Sequence, residues 1–440
     1  GGLAFDFEEI DEQTDYHPNA VVITLEESDG TVNVLRGASV GGGEIEIHEI
    51  NGCEIKFSGK NNAVIVHQKD KPGVIAAVAK VFENDGVNIS YMSVYCEDKG
   101  DDQFSIIEID GDFDEGALEE LRRQKNVLSA VYIKVKRLVG NMRECMDFST
   151  GKELLALCTE KNKPISEIML VREIAKFGVG REAVWERMRK SLAVMREGVG
   201  RSQTEQMNLL GGYIGGESKA LLGRIRREGA MGGMISRASA YAMGVIELNA
   251  SMGRIVAAPT AGSAGVLPGI LVAADEIYDF GEEKLTQALF NAGAVGYLID
   301  RNATLSGAEG GCQAEVGAAS AMAASALCEL FGGAPSVCLA AAGDAISNIL
   351  GLVCDPIGGL VESPCQKRNA MGVANAVISA ETALATSGKT LVPFDEVVAA
   401  MYSVGRNIPY QLRETALGGL AMAPSVRNLH PGCASCGGCK

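Results

Sequence analysis

The chain has 440 residues, beyond the size at which one hydrophobic core usually stops growing, so two or three domains are expected. A formal charge of -16, with 40 basic against 56 acidic residues and no dense Lys/Arg block, argues against nucleic-acid binding, which needs clustered cations. Apolar runs such as Val266–Asp275 are too short to cross a bilayer, and the longer stretch Ala314–Ala342 is interrupted by Glu315 and Glu329, so no membrane partner is expected. The first twenty residues carry neither a basic start nor an apolar run of the secretory kind. Twelve cysteines without such a signal point to a reducing, cytoplasmic setting and to metal or redox chemistry over a disulfide framework.

In chain order, Ala20–Leu25, Thr31–Leu35, Glu44–Glu49 and Cys53–Ser58 show partly alternating apolar and polar residues and read as short strands, with Gly41-Gly42-Gly43 and Asn51-Gly52 as turns. With no opening element before them, residues 1–60 read as the later part of a domain cut off at its start. From Asn62 the pattern changes. A strand (Ala63–His67), the turn Asp70-Lys71-Pro72-Gly73, a helix (Val74–Asp85) and a strand (Ser90–Cys96) are followed by strand Phe104–Ile109, helix Glu115–Gln124 and strand Val127–Val135, a βαββαβ order over 61–138.

Asp70, Pro72, Gly73, Gly86 and Asn88 in that order of elements resemble the ACT domain, a small amino-acid-sensing or dimerising module. Pro72 sets the turn, Gly73 lets the chain enter the helix, and the free N–H groups at the helix start can receive a carboxylate. The resemblance implies an amino-acid effector and a homodimer. As ordinary turn residues the same positions need no ligand.

Beyond Gly140 strand patterns stop. Thr150 or Ser149 can cap a helix through Glu153–Thr159, and Ser166 the next one. Ala183–Met195 is amphipathic, whereas helices after residue 240 are rich in Ala and Gly on every face, as expected of helices surrounded by other helices. The fold class expected for the whole is α+β: a partial α/β domain, the βαββαβ module and a large all-helical domain over 145–428.

Four segments of the helical part stand out: Ala257–Gly265, Gly307–Glu315, Cys354-Asp355-Pro356 and Ser363–Asn369. Cys312, Cys354 and Cys365 are too far apart for a local metal knuckle, but each lies beside Gly or Pro, where irregular backbone leaves N–H groups free to face sulfur. Cys328 and Cys338, in plain Ala-rich surroundings, and Cys53, Cys96, Cys145 and Cys158 read as buried free thiols.

Together the four segments resemble the catalytic region of the iron-sulfur L-serine dehydratase family, with 1–60 similar to the end of that family's smaller domain. The resemblance implies that Cys312, Cys354 and Cys365 ligate a four-iron four-sulfur cluster with one iron left open, able to act as a Lewis acid on L-serine, the substrate and partner it implies, and yielding pyruvate and ammonia. L-cysteine desulfidation on the same scaffold is the alternative reaction, and a non-catalytic amino-acid or redox sensor is the alternative from another class. Pyridoxal phosphate would need a Schiff-base Lys in a phosphate-binding α/β framework, and neither is recognisable.

Among the polar residues, Thr260 and Ser263 in a Gly-rich turn, with Arg368 and Asn369, are candidates to bind substrate. Lys367 and Glu309 are candidates for catalysis, Glu309 as a proton shuttle. Helix capping and ordinary ion pairs are the competing roles. The Ser-Ser-Ser-His-Thr type motif that offers a base in the family is not found in this sequence, and His17, His48, His67 and His430 are read as ordinary surface or core residues. The tail 429–440 repeats Cys at a C-x-x-C-x-x-C spacing used by iron-sulfur and zinc sites. By the resemblance, Cys439 or Cys436 is a candidate displaceable fourth ligand.

Overall fold

The computed structural model describes residues 20–26, 32–41, 44–57, 61–96, 102–134 and 146–426. The chain divides into two compact units, Gly1–Arg137 and Leu138–Lys440. Cys145, the tail cysteines Cys436 and Cys439, and His17 and His430 lie outside the described residues.

In the first unit, β1 (Ala20–Glu26), β2 (Val32–Gly41), β3 (Glu44–Ile50) and β4 (Cys53–Phe57) form an antiparallel meander in the order β1-β2-β3-β4. β2 runs further than its expected end at Leu35, because Arg36–Gly41 continue to pair with β3 across two register shifts. Among the described residues this segment carries strands and no helix.

The second sheet follows from β5 (Asn62–Lys69), α1 (Val74–Asp85), β6 (Asn88–Cys96), β7 (Asp102–Asp110), α2 (Glu115–Arg123) and β8 (Val127–Ile133), with strand order β6-β7-β5-β8. Alternation decides the two faces. Val64, Val66, Ile107 and Ile109 pack on Val78, Val81, Phe82 and Leu121 of the helices, and Ala63 and Ile106 pack on Ile55 and Phe57 of β4. Gly73, at φ 89°, turns the chain into α1, a conformation that an L side chain rarely adopts.

The second unit is helical: α3 (Gly151–Lys161), α4 (Ile165–Phe177), α5 (Arg181–Thr204), α6 (Glu217–Glu228), α7 (Met234–Ala250), α8 (Val266–Tyr278), α9 (Gly281–Asn302), α10 (Gly307–Gly310), α11 (Ala318–Leu330), α12 (Pro335–Ser347), α13 (Cys365–Ala385) and α14 (Phe394–Asn407). Thr150 caps α3 by accepting from Glu153 N at 3.1 Å. Ser166 does not cap α4: the cap position is Pro164, and the Ser166 amide donates to the Glu329 carboxylate at 3.3 Å.

Every residue of α11 from Ala318 to Cys328 is buried, and α8, α9, α12 and α13 surround it. Small side chains on all faces let those neighbours approach closely, the arrangement expected of a helix at the centre of a bundle. No helix of the described residues is long and apolar enough to cross a membrane.

Candidate active site around three buried cysteines

Three loops of the helical unit bring Cys312, Cys354 and Cys365 together as free, buried thiols. Cys312 follows the short α10 and opens a π-helical turn, Gln313–Gly317. Such turns are rare and are frequent at functional sites. Gln313 holds this turn in place, donating from Nε2 to Met401 O at 2.9 Å and accepting from Gly351 N at 2.8 Å. Cys365 is the first residue of α13, where the helix dipole favours a thiolate.

Cys354 lies in irregular backbone and is fixed by a parallel bridge to Arg413, with Cys354 N donating to Leu412 O at 2.9 Å and Glu414 N donating to Cys354 O at 2.8 Å. Asp355 extends this stitching by accepting from Leu420 N at 2.7 Å.

The carboxylate at the centre of the thiols is Glu315. Its Oε1 accepts from Thr260 Oγ1 at 2.7 Å and its Oε2 from Cys354 Sγ at 3.7 Å. The backbone leaves room for it. A Cβ on Gly307 would stand 2.5 Å from Glu315 Oε2 and 3.2 Å from Cys354 Sγ, and one on Gly262 would stand 3.0 Å from Glu315 Oε1. Burial, with the nearby charge of Glu414, raises the Glu315 carboxyl to about 7, against the hydrogen bonds from Thr260 and Cys354. Burial and then Glu315 raise the Cys365 thiol to about 12 and push those of Cys312 and Cys354 well up.

The expected site residues fall into two groups. Arg368 is near the thiols, but its guanidinium is committed: Nη2 is 2.8 Å from Asp355 Oδ1 and Nη1 donates to Val353 O at 2.8 Å. Asn369 is fully buried and donates to Gly262 O and Cys365 O, each at 2.8 Å, while accepting from Gly265 N at 3.0 Å. It therefore ties the 257–265 turn to α13 instead of facing a ligand. Thr260 orients Glu315, and Ser263 completes a capping box with Thr260.

Lys367 and Glu309 are not brought to the thiols. Lys367 is exposed, with its charge acting on Glu217, and Glu309 is exposed, with Oε2 accepting from Thr304 Oγ1 at 2.6 Å. Cys328 and Cys338 lie in the helical core, with their thiols against Ala380 O and Gly333 O, each at 3.7 Å.

Two acidic residues escape a reading of the sequence. Glu315 stands in a run of Ala and Gly, and a lone carboxylate there is itself a signal, because buried charge is rare without a partner or a task. Glu414 sits in Arg413-Glu414-Thr415, which looks like an ordinary surface run. Only the bridge to Cys354 brings it in, mostly buried, with the Ala308 amide donating to its carboxylate.

As donors, the three thiols suit a soft metal. Among the described residues no three His, Cys, Asp or Glu side chains close on one point as a single ion requires. Three buried free thiols brought from separate segments, without the convergence that a single ion requires, match the donor set of an iron-sulfur cluster.

A family model described as "Serine dehydratase alpha chain" matches residues 160–421, and the ACT domain model matches residues 63–126. The chain is 44% identical over 283 residues to a probable L-serine dehydratase alpha chain of Bacillus subtilis, covering 64% of this chain and 94% of that protein. It is 55% identical over 159 residues to the L-serine dehydratase alpha chain of Peptoniphilus asaccharolyticus, 36% of this chain and 54% of that protein. The L-serine dehydratase of Streptomyces coelicolor is 40% identical over 278 residues, which are 62% of this chain and 61% of that longer protein.

Proposed function

This chain belongs to the serine dehydratase alpha chain family, and from that premise we propose that it is an L-serine ammonia-lyase holding a four-iron four-sulfur cluster on Cys312, Cys354 and Cys365. The observation that carries the proposal is the set of three buried free thiols, with the buried Glu315 carboxylate against Cys354 and Gly307 packed close to both. When bound, a cluster with three protein thiolates supplies an iron open to a fourth ligand, hence a Lewis acid for the serine hydroxyl. The net change is loss of water from L-serine, then hydrolysis of the aminoacrylate through its imine to pyruvate and ammonia.

The chain's own residues supply position. Arg368 and Asp355 hold the Cys354 loop, Asn369 holds the 257–265 turn against the Cys365 end of α13, and Thr260 Oγ1 fixes the rotamer of Glu315. The enclosing helices exclude bulk water, which strengthens each of these polar contacts. The ACT segment, with Gly73 entering α1, is proposed as an amino-acid effector site and a dimer contact, and the free thiols suit the cytoplasm.

Anaerobic reconstitution with iron and sulfide, followed by metal analysis, visible absorption and pyruvate assay, tests this reading. Broad iron-sulfur absorption that changes on adding L-serine, with pyruvate formed, is expected, and Cys354→Ser should remove the absorption. Turnover of L-cysteine alone would make the protein a desulfidase. Absorption indifferent to serine, without turnover, would make it a sensor, and a full spectrum in Cys354→Ser would refute the ligand set.

A further inference from the structure

Resting on that reading, we propose that Glu414 is the specificity residue for the substrate's α-ammonium group, so that the pocket takes an amino acid and rejects the matching hydroxy acid.

The placement of Glu414 is unusual and enforced. Its φ of 64° is left-handed for a residue that is not glycine, and the hydrogen bonds on either side of the Cys354–Arg413 bridge hold it there. Strained backbone persists only where its surroundings over-determine it, and such positions gather at functional sites. From this position the carboxylate acts on Glu315, Cys354 and Cys365.

The charge balance defines the ligand. Two mostly buried carboxylates, Glu315 and Glu414, lie by the thiols, and the cation acting on Glu315, Arg368, is already paired with Asp355, bonded to Val353 O and hydrogen-bonded to Cys312. Thiolates on a bound cluster would add further negative charge. A ligand entering this space is therefore favoured if it carries a positive group. In an α-amino acid that group is the ammonium, with three N–H donors.

Glu414 has acceptor capacity to meet them. Among the described residues one protein donor reaches its carboxylate, the Ala308 amide, and a carboxylate accepts about four hydrogen bonds. Glu315 Oε1, by contrast, already accepts from Thr260 Oγ1 at 2.7 Å. Arg368 and Asn369 cannot fill this role, since one is a cation and the other is saturated by three backbone groups.

The experiment compares reconstituted wild type, Glu414→Gln and Glu414→Asp. The shift in visible absorption reads the Kd for L-serine and for L-glycerate, in which a hydroxyl replaces the ammonium, and steady-state assays separate KM from kcat. Gln keeps an acceptor for the Ala308 amide, so iron content and unfolding temperature should match wild type.

Loss of a charge-assisted hydrogen bond should raise the Kd and KM for L-serine by about ten- to a hundredfold in Glu414→Gln, with a smaller fall in kcat. Affinity for L-glycerate should not weaken, and Glu414→Asp should recover part of the serine affinity. An unchanged serine Kd, an equal loss for both ligands, or an Asp variant no better than Gln would overturn the role of Glu414. A wild type whose spectrum ignores L-serine would instead overturn the lyase reading and this assignment with it.

Discussion

Gly307→Ala gives a direct test of how tightly the thiol pocket is built. The added methyl would lie 2.5 Å from Glu315 Oε2, 3.0 Å from Glu315 Cδ and 3.2 Å from Cys354 Sγ, where non-bonded atoms need about 3.5 Å or more. Glu315 cannot swing away freely, because Thr260 holds its Oε1 at 2.7 Å. Overpacking of this kind costs about 1–3 kcal/mol. At about 2–4 °C for each kcal/mol in a large domain, the melting temperature should fall by about 2–12 °C.

Circular dichroism melts of the metal-free protein, with iron content after reconstitution, measure both consequences. Gly200→Ala in α5 is the control, since a Cβ there meets nothing within 4 Å and the site is exposed. That change should stabilise the helix by about 0.5–1 kcal/mol. A Gly307→Ala protein that melts like wild type and takes up full iron would refute the close approach of Glu315 and Cys354 to this backbone.

Thr260→Val, nearly isosteric, removes a donor from a buried carboxylate and should cost about 1–3 kcal/mol in urea unfolding with the slope unchanged; an unmoved midpoint would dismiss the contact. Asn369→Leu deletes three buried hydrogen bonds and should cost about 3 kcal/mol and weaken iron retention, whereas wild-type iron retention would show that the turn does not depend on it. Burial raises the Glu329 carboxyl above its ordinary 4.5, so between that value and the raised one the native state binds more protons than the unfolded chain. Stability from this group is present at low pH and is lost as pH rises across that window. Glu329→Gln, which keeps an acceptor for Asn291 and Ser166, should therefore gain on wild type as pH rises, measured by urea midpoints at several pH values; parallel profiles would show no such linkage.

Much of the architecture is legible in the sequence because periodicity and burial agree. Strand alternation in 63–67 and 104–109 yields the two packed faces of the ACT sheet, and the all-round Ala and Gly of 318–328 yields an enclosed helix. The extension of β2 and the cap of α4 are not legible, since the first depends on pairing with β3 and the second on Glu329, far away in sequence.

In the site, helical geometry sorts the candidates near Cys365. Arg368 and Asn369, three and four residues on, share its face, whereas Lys367 at two residues points to the opposite side and is exposed. Glu309 and Glu315 are each three residues from Cys312, but only the π-helical turn on the C-terminal side carries its carboxylate inward. The place of Glu414 depends on a bridge between distant segments and has no local signature.

The stitching of residues 412–420 onto Cys354 and Asp355 has a dynamic consequence. Backbone bonds on both sides of one cysteine make the donor loop and the late segment a single opening unit, because neither can leave without breaking the ladder that orders the other. A perturbation that loosens Leu420 would thus be felt at a sulfur, and a ligand that braces the sulfur would slow the escape of a stretch of chain it never touches.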